Sequence, residues 1–322
     1  MSSHLRASIA STALVIAFLW GCAGAPASPM PVSDATIVAE VVSYQIVANR
    51  PVRLLVALWN ADGRWVSFGN IDLAFSFLGD RTSTAPPDVV LAGTSATFLA
   101  IPGTPDDSEG RPTLTLPANG RGVYEVEALL FPRAGYWQVN ATGTLDDDTP
   151  IAAQAVLTVL VAPTVVAVGD PAPMTDSPVM GDPSLSLEAI DSRAVGGQPV
   201  PDPELHVVSI ADAMRAGHPL VVVFSTPVYC TSRFCGPVTD LIAELASKYA
   251  DRADFVHVEI YRSFETGDLN QSVSEWLMTP DGELREPWTF LVGADGRIAG
   301  SWDTIVTRGE LEPLLDALPR KG

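Results

Sequence analysis

The side chains of this chain best suited to covalent chemistry are its three cysteines, Cys22, Cys230 and Cys235. Cys235 lies five positions after Cys230 and is followed by Gly-Pro and by a segment with helical periodicity. A thiol at the N-terminus of a helix lies at the positive end of the helix dipole and close to unpaired backbone N–H groups. Both effects favour the thiolate, which is the reactive form of cysteine. The pair therefore has two main interpretations, a redox-active dithiol or a static disulfide that closes a loop in an oxidising compartment.

Either thiol of the pair can be the attacking group in thiol–disulfide exchange. Cys235, at the predicted helix N-terminus, is favoured as the attacking thiol, with Cys230 as its resolving partner from the loop. The reverse assignment, in which Cys230 attacks and Cys235 resolves, stays open. No metal ligand and no cofactor are assigned to the pair.

The elements around the pair have a mixed α/β pattern. The continuous apolar run 220–224 predicts a strand that is buried on both faces. The apolar spacing within 238–249 predicts a helix directly after the cysteines. Three more strands and a closing helix are predicted, with an Asp-Gly hairpin turn between the last two strands: 254–261, 288–293, 298–302 and 310–318.

Residues 219–320 resemble a thioredoxin-like domain. The resemblance rests on a buried strand before a cysteine-bearing loop, on the Cys-Gly-Pro sequence that starts at Cys235, and on Pro287, which stands where the family keeps a cis-proline. The approach segment 168–173 also resembles the start of many redoxin domains. The resemblance implies thiol–disulfide exchange, with Cys230, Cys235 and Pro287 as the catalytic residues.

The sequence departs from the family pattern at two places. Val238 stands where the family has its second cysteine, and the second thiol, Cys230, lies upstream instead. The family also has a buried carboxylate on the central strand that assists proton transfer. Val223 and Phe224 occupy that neighbourhood and cannot titrate, so proton transfer needs another group or water.

Three aromatic residues, Tyr229, Phe234 and Trp288, flank the cysteines and the proline in the sequence. They are candidates for lining a substrate groove, and they are equally well explained as core residues of the loop. A copper-handling protein of the Sco type, which uses a cysteine pair and a distant histidine on the same fold, is a less favoured alternative. His257 is the nearest histidine for that role, but it lies in the middle of a predicted strand.

The N-terminus has the pattern of a secretory signal, with a short positive region before an apolar run too short to span a bilayer. The tetrapeptide Leu-Trp-Gly-Cys that ends at Cys22 resembles the bacterial lipobox. The resemblance implies that residues 1–21 are a signal peptide and that Cys22 carries lipid. Residues 22–35 are then a flexible tether. An ordinary signal peptide cut nearby is the alternative.

Residues 36–162 carry the signals of an all-β domain. Six runs rich in Val, Leu and aromatic residues, separated by turn signals, predict an antiparallel sandwich. The stretch 131–139 resembles the penultimate hairpin of Ig-like domains in bacterial exported proteins. This region contains neither His nor Cys and is predicted to be a binding or spacer module. Residues 163–203, rich in Pro, Gly and Asp, are predicted to be a linker that includes the approach segment, before the second domain at 204–322.

The composition limits the functions that the chain can have. A length of 322 residues predicts about two domains. Asp and Glu outnumber Lys and Arg by 38 to 19, so the formal net charge is −19. Such a charge argues against binding nucleic acid, and against docking on anionic lipid through a basic patch.

The sequence therefore predicts a two-domain protein, an all-β Ig-like sandwich followed by an α/β thioredoxin-like domain with a mixed central sheet flanked by helices. The predicted function is thiol–disulfide exchange with the thiols and disulfides of exported proteins, by a protein anchored through Cys22 to the outer face of the bacterial cytoplasmic membrane. The alternative function is a non-catalytic binding module of thioredoxin fold whose Cys230–Cys235 disulfide is structural.

Overall fold

The structure is a computed structural model that describes residues 36–80, 90–106, 109–230 and 232–321. The predicted signal peptide (1–21), the predicted lipidation site at Cys22 and the predicted tether (22–35) lie outside the described residues. Among the helices of the described ranges, none is both long enough and apolar enough to cross a membrane.

The first half of the described chain is one antiparallel sheet. Its strands run in the order β6-β3-β2-β7-β5-β4-β8-β9, and β1 pairs with the second half of β2. Counted over the described residues, these are nine strands: β1 Ile37–Val41, β2 Pro51–Asn60, β3 Trp65–Ser67, β4 Asn70–Gly79, β5 Val90–Ala100, β6 Thr113–Thr115, β7 Gly122–Leu130, β8 Gly135–Thr144 and β9 Pro150–Val159.

The nine-stranded sheet forms because its strands have one apolar face. β4 alternates exposed and buried residues along its length, which sends Leu73, Phe75 and Phe77 to the core. Trp137 of β8 is buried in the same core, and its ring packs against Phe77 at a centroid distance of 5.2 Å. The prediction of an antiparallel β region over this part of the chain is confirmed.

The second half contains a separate four-stranded mixed sheet, counted over the described ranges, in the order β11-β10-β14-β15. β10 and β11 are parallel, whereas β14 is antiparallel to both of its neighbours. The strands and helices of this half are β10 Leu220–Ser225, β11 Asp254–Glu259, β12 Tyr261–Ser263, β13 Asp268–Leu269, β14 Trp288–Val292, β15 Ile298–Asp303, α1 Leu187–Ile190, α2 Ile210–Ala216, α3 Cys235–Tyr249, α4 Gln271–Trp276 and α5 Arg308–Ala317.

The central strand β10 is buried on both faces, as its unbroken apolar run predicts. Val222 and Phe224 pack into one core, which includes residues of α2 and α4. Val221 and Val223 point to the other face and pack with residues of α3 and α5. Helices therefore cover both faces of the mixed sheet, and α3 is held with its N-terminus beside the end of β10.

The segment 163–203, predicted to be a linker, packs on the mixed sheet over much of its length. Ala172 donates its backbone N–H to the carbonyl of Gly296 at 2.9 Å. Further along the segment, Ile190 and Ala194 are buried. Apolar side chains spaced among the prolines and glycines therefore tie this segment to the fold.

The two sheets are in direct contact within residues 36–321. The hydroxyl of Tyr44, after β1, donates to the carbonyl of Glu286 at 2.5 Å. Arg53 of β2 donates to the carbonyl of Ile305 at 2.6 Å. Phe234, immediately before α3, is buried in a cluster that includes residues of β2 and β7. The nine-stranded sheet therefore covers part of the loop that carries the cysteines.

We expect the contact through Phe234 to contribute strongly to stability. Phe234→Ala should lower the free energy of unfolding by about 3–5 kcal/mol, because a buried aromatic ring is lost and a cavity remains. The matched control is Phe264→Ala, which removes a ring that is 49% exposed and should cost less than about 1 kcal/mol. Urea denaturation of both variants measures the difference, and equal losses would contradict the packing role of Phe234.

Candidate functional site

The candidate site is the Cys230–Cys235 disulfide at the N-terminus of α3. The disulfide is present in the structure, and the two Cα atoms are 6.1 Å apart. Cys235 is the first residue of the fifteen-residue helix α3. The N-cap residue is Phe234, whose side chain does not accept a hydrogen bond from the backbone N–H groups of the first turn. The positive end of the helix dipole therefore lies at Cys235.

The two cysteines differ in their access to solvent. Cys235 is 0% exposed. Cys230 is half-buried, and its backbone N–H donates to the carbonyl of Thr226 at 3.0 Å. An incoming thiolate therefore has access to Cys230 rather than Cys235. This geometry favours the second of the two assignments, with Cys230 as the attacking thiol and Cys235 as the resolving one.

A half-buried carboxyl group, that of Glu286, lies against the disulfide. Oε2 of Glu286 is 3.6 Å from Sγ of Cys235. The same oxygen accepts the backbone N–H of Thr226, at the end of β10, at 2.6 Å. The peptide bond between Glu286 and Pro287 is cis, so this expectation from the family resemblance is confirmed. Glu286 is therefore held between the end of β10, the start of β14 and the cysteine at the head of α3.

Burial and a neighbouring carboxylate set the protonation of Glu286. Burial, followed by the charge of Glu259, raises the pKa of Glu286 to about 8, and the N–H of Thr226 opposes the shift. Burial also raises the pKa of Glu259, whose Oε2 accepts the backbone N–H of Ser192 at 2.8 Å. At neutral pH Glu286 is therefore mainly a neutral carboxylic acid with a proton to donate.

Glu286 was not among the site residues predicted from the sequence. The carboxylate of the thioredoxin-like pattern is expected on β10, where Val223 and Phe224 are apolar core residues. The signal in the sequence that could have indicated Glu286 is its position directly before Pro287, whose peptide bond is cis.

The three aromatic candidates fall into two groups. Trp288 and Phe234 are buried core side chains, and the ring of Trp288 stacks on Phe290 at a centroid distance of 5.5 Å. Tyr229 is half-buried and stacks on the exposed ring of Phe264 at 3.9 Å, beside a cavity of about 420 Å³. The core interpretation therefore describes Phe234 and Trp288, and a role in a substrate groove stays a prediction for Tyr229.

His257, the histidine considered for a copper site, packs with another group of residues. Its Nε2 lies 3.0 Å from the carbonyl oxygen of Ser225, and its ring lies 5.2 Å from that of His206.

Neither the known protein-family models nor the curated proteins match this chain. A function for the protein must therefore be proposed from its motifs and from the geometry of the described residues.

Proposed function

We propose that the protein is an exported, membrane-anchored thiol–disulfide oxidoreductase that acts through Cys230 and Cys235. The observation that carries the proposal is the carboxyl group of Glu286 within 3.6 Å of Sγ of Cys235. A static disulfide needs no proton donor, whereas exchange produces a thiolate that must be protonated. In this proposal the mixed sheet with its helices is a thioredoxin-like domain, and the nine-stranded sheet is an Ig-like sandwich.

Reduction of the disulfide follows from these positions. A thiolate of the partner protein attacks Sγ of Cys230, the bond between Cys230 and Cys235 breaks, and the sulfur of Cys235 leaves with the electron pair. Glu286 then gives its proton to the Cys235 thiolate and becomes a carboxylate. A second thiolate of the partner then attacks the partner sulfur that is bonded to Cys230 and releases Cys230 as a thiolate. The partner now contains a disulfide and has been oxidised by two electrons.

Oxidation of the reduced pair runs through the same groups in reverse. The Cys230 thiolate attacks a disulfide of the partner and forms a mixed disulfide, with release of one partner thiolate. The Glu286 carboxylate removes the proton of the Cys235 thiol. The Cys235 thiolate then attacks Sγ of Cys230 and releases the second partner thiolate. The same site therefore supports either direction of electron flow.

The second candidate function is a binding module with a structural disulfide. The observation that favours it is the packing of Phe234 against the nine-stranded sheet, which fixes the loop that the disulfide closes. A membrane anchor is part of both candidate functions, because it is inferred from the lipobox-like motif that ends at Cys22 and not from the Cys230–Cys235 pair.

The reduction potential of the Cys230–Cys235 pair distinguishes these two functions. We expect a value between about −120 and −270 mV, the range of working oxidoreductases. The purified protein is equilibrated in glutathione and dithiothreitol buffers, and the free thiols are trapped by alkylation and counted by mass spectrometry. A potential well below about −300 mV would instead identify a structural disulfide and overturn the exchange function.

A further inference from the structure

Three ionisable side chains from separate parts of the second half meet in its interior. Asp191 directly follows α1, His206 ends the short 3-10 helix Pro203–His206, and His257 lies in β11. All three are 0% exposed. Oδ2 of Asp191 lies 3.6 Å from Nε2 of His206 and 3.4 Å from Nδ1 of His257. This group, the Asp-His-His cluster, is separate from the residues of the proposed redox mechanism.

The hydrogen bonding of the cluster leaves buried nitrogen atoms without partners. The carbonyl oxygen of Ser225 can only accept, so Nε2 of His257, 3.0 Å away, carries a proton. Nδ1 of the same ring faces the carboxylate of Asp191 and has no hydrogen-bond partner. Neither nitrogen of His206 has a hydrogen-bond partner. Buried polar atoms without partners are rare and call for an occupant between them.

The two distances from Asp191 to the histidine nitrogens are close to those between neighbouring ligands of a tetrahedral metal ion. Zinc binds imidazole nitrogen at about 2.0–2.1 Å and carboxylate oxygen at about 2.0–2.2 Å, which places neighbouring ligand atoms about 3.3–3.5 Å apart. The separations of 3.4 and 3.6 Å lie close to this range, and they are too long for ordinary N–H···O bonds. The bond from His257 to the carbonyl of Ser225 is the outer contact that metal-binding histidines usually make.

The carboxylate of Asp191 has one cationic neighbour, Arg193. The Nη2 atom of Arg193 lies 2.7 Å from Oδ2 of Asp191, and the same guanidinium pairs with Asp202 and Asp240, each at 3.0 Å. Two imidazoles and one carboxylate are a donor set that suits zinc.

We propose that Asp191, His206 and His257 bind one zinc ion, which fastens the segment before α2 to strand β11. The position of Ser192, next to the ligand Asp191, links this site to the cysteine loop. The N–H of Ser192 donates to Glu259, and its hydroxyl oxygen accepts the backbone N–H of Val228 at 3.2 Å. The ion would thus hold in place the segment on which the cysteine loop rests. This inference does not depend on the redox function.

Zinc binding by the oxidised protein tests the proposal. The Cys230–Cys235 disulfide offers no thiolate in that state, so binding there cannot come from the cysteines. After treatment with EDTA and its removal by dialysis, titration with zinc chloride in a calorimeter should show one site per chain. His206→Gln should weaken binding at least about 100-fold. The control His218→Gln changes a half-exposed histidine that pairs with Asp254, and it should leave the affinity unchanged.

A spectrum of the wild-type protein tests the metal site without a variant, so its result does not depend on whether His206→Gln folds. Cobalt(II) added to the oxidised wild-type protein should give visible bands of a tetrahedral site, without the intense near-ultraviolet band of thiolate ligation. Absence of zinc binding, equal affinity of His206→Gln and wild type, or a thiolate band would each overturn the proposal. Absence of binding would mean that a proton alone lies between Asp191 and the histidines.

Discussion

Replacement of Cys235 with serine should make the protein accumulate mixed disulfides on Cys230. Once the half-buried Cys230 has attacked a disulfide, the variant has no thiol that can resolve the product. We expect the adduct with oxidised glutathione to form at least about tenfold faster in Cys235→Ser than in Cys230→Ser, because thiols without solvent access react slowly. Mass spectrometry of the intact protein after timed acid quenching measures both rates.

The matched variant Cys230→Ser is the control for this experiment, since it keeps one thiol of the same pair in the buried position. Faster adduct formation by Cys230→Ser would show that Cys235 is the attacking thiol, as the helix dipole alone predicts. Adduct formation by neither variant, with loss of stability in both, would support the structural disulfide.

Replacement of Glu286 with glutamine should slow reduction of the disulfide by about 100-fold at pH 7, the usual contribution of a positioned proton donor. With a pKa of about 8, the carboxyl group of Glu286 is protonated below that pH and loses its donor function above it. The wild-type rate of disulfide reduction by dithiothreitol, divided by the ionised fraction of the dithiothreitol thiol, should therefore fall as the pH rises through about 8. The Glu286→Gln variant should lack this step. Stopped-flow measurement of dithiothreitol reduction between pH 6 and 10 records both profiles.

Glu283→Gln provides a control at an exposed carboxylate three positions earlier in the same loop. Its profile should match that of the wild type. If Glu286→Gln kept the wild-type rate and pH step, the carboxyl group next to Cys235 would have no role in proton transfer.

The sequence predicted the elements whose pattern is local. The apolar run before the cysteines is the buried strand β10, the helical spacing after them is α3, and Asp295-Gly296 is the turn between β14 and β15. Strand β5 was missed because its sequence is rich in small residues with low strand propensity, and its pairing with β4 and β7 supplies the order that its own pattern lacks.

The parts of the site that were not predicted depend on contacts distant in sequence. Phe234, next to Cys235, packs against strands that lie more than a hundred residues earlier, and no local pattern shows this. The proximity of Asp191, His206 and His257 arises because a proline-rich segment folds back on β11. Glu286 is the exception, because its position directly before Pro287 could have been recognised in the sequence.

The contact between Phe234 and the nine-stranded sheet also bears on the order in which the chain folds. Within the described residues, strands β1 to β9 pair only with one another, and all of them precede Cys230 in the chain. N-terminal domains generally fold first. We therefore expect the nine-stranded sheet to form before the cysteine loop, so that Phe234 packs on an existing surface that fixes the position of the loop.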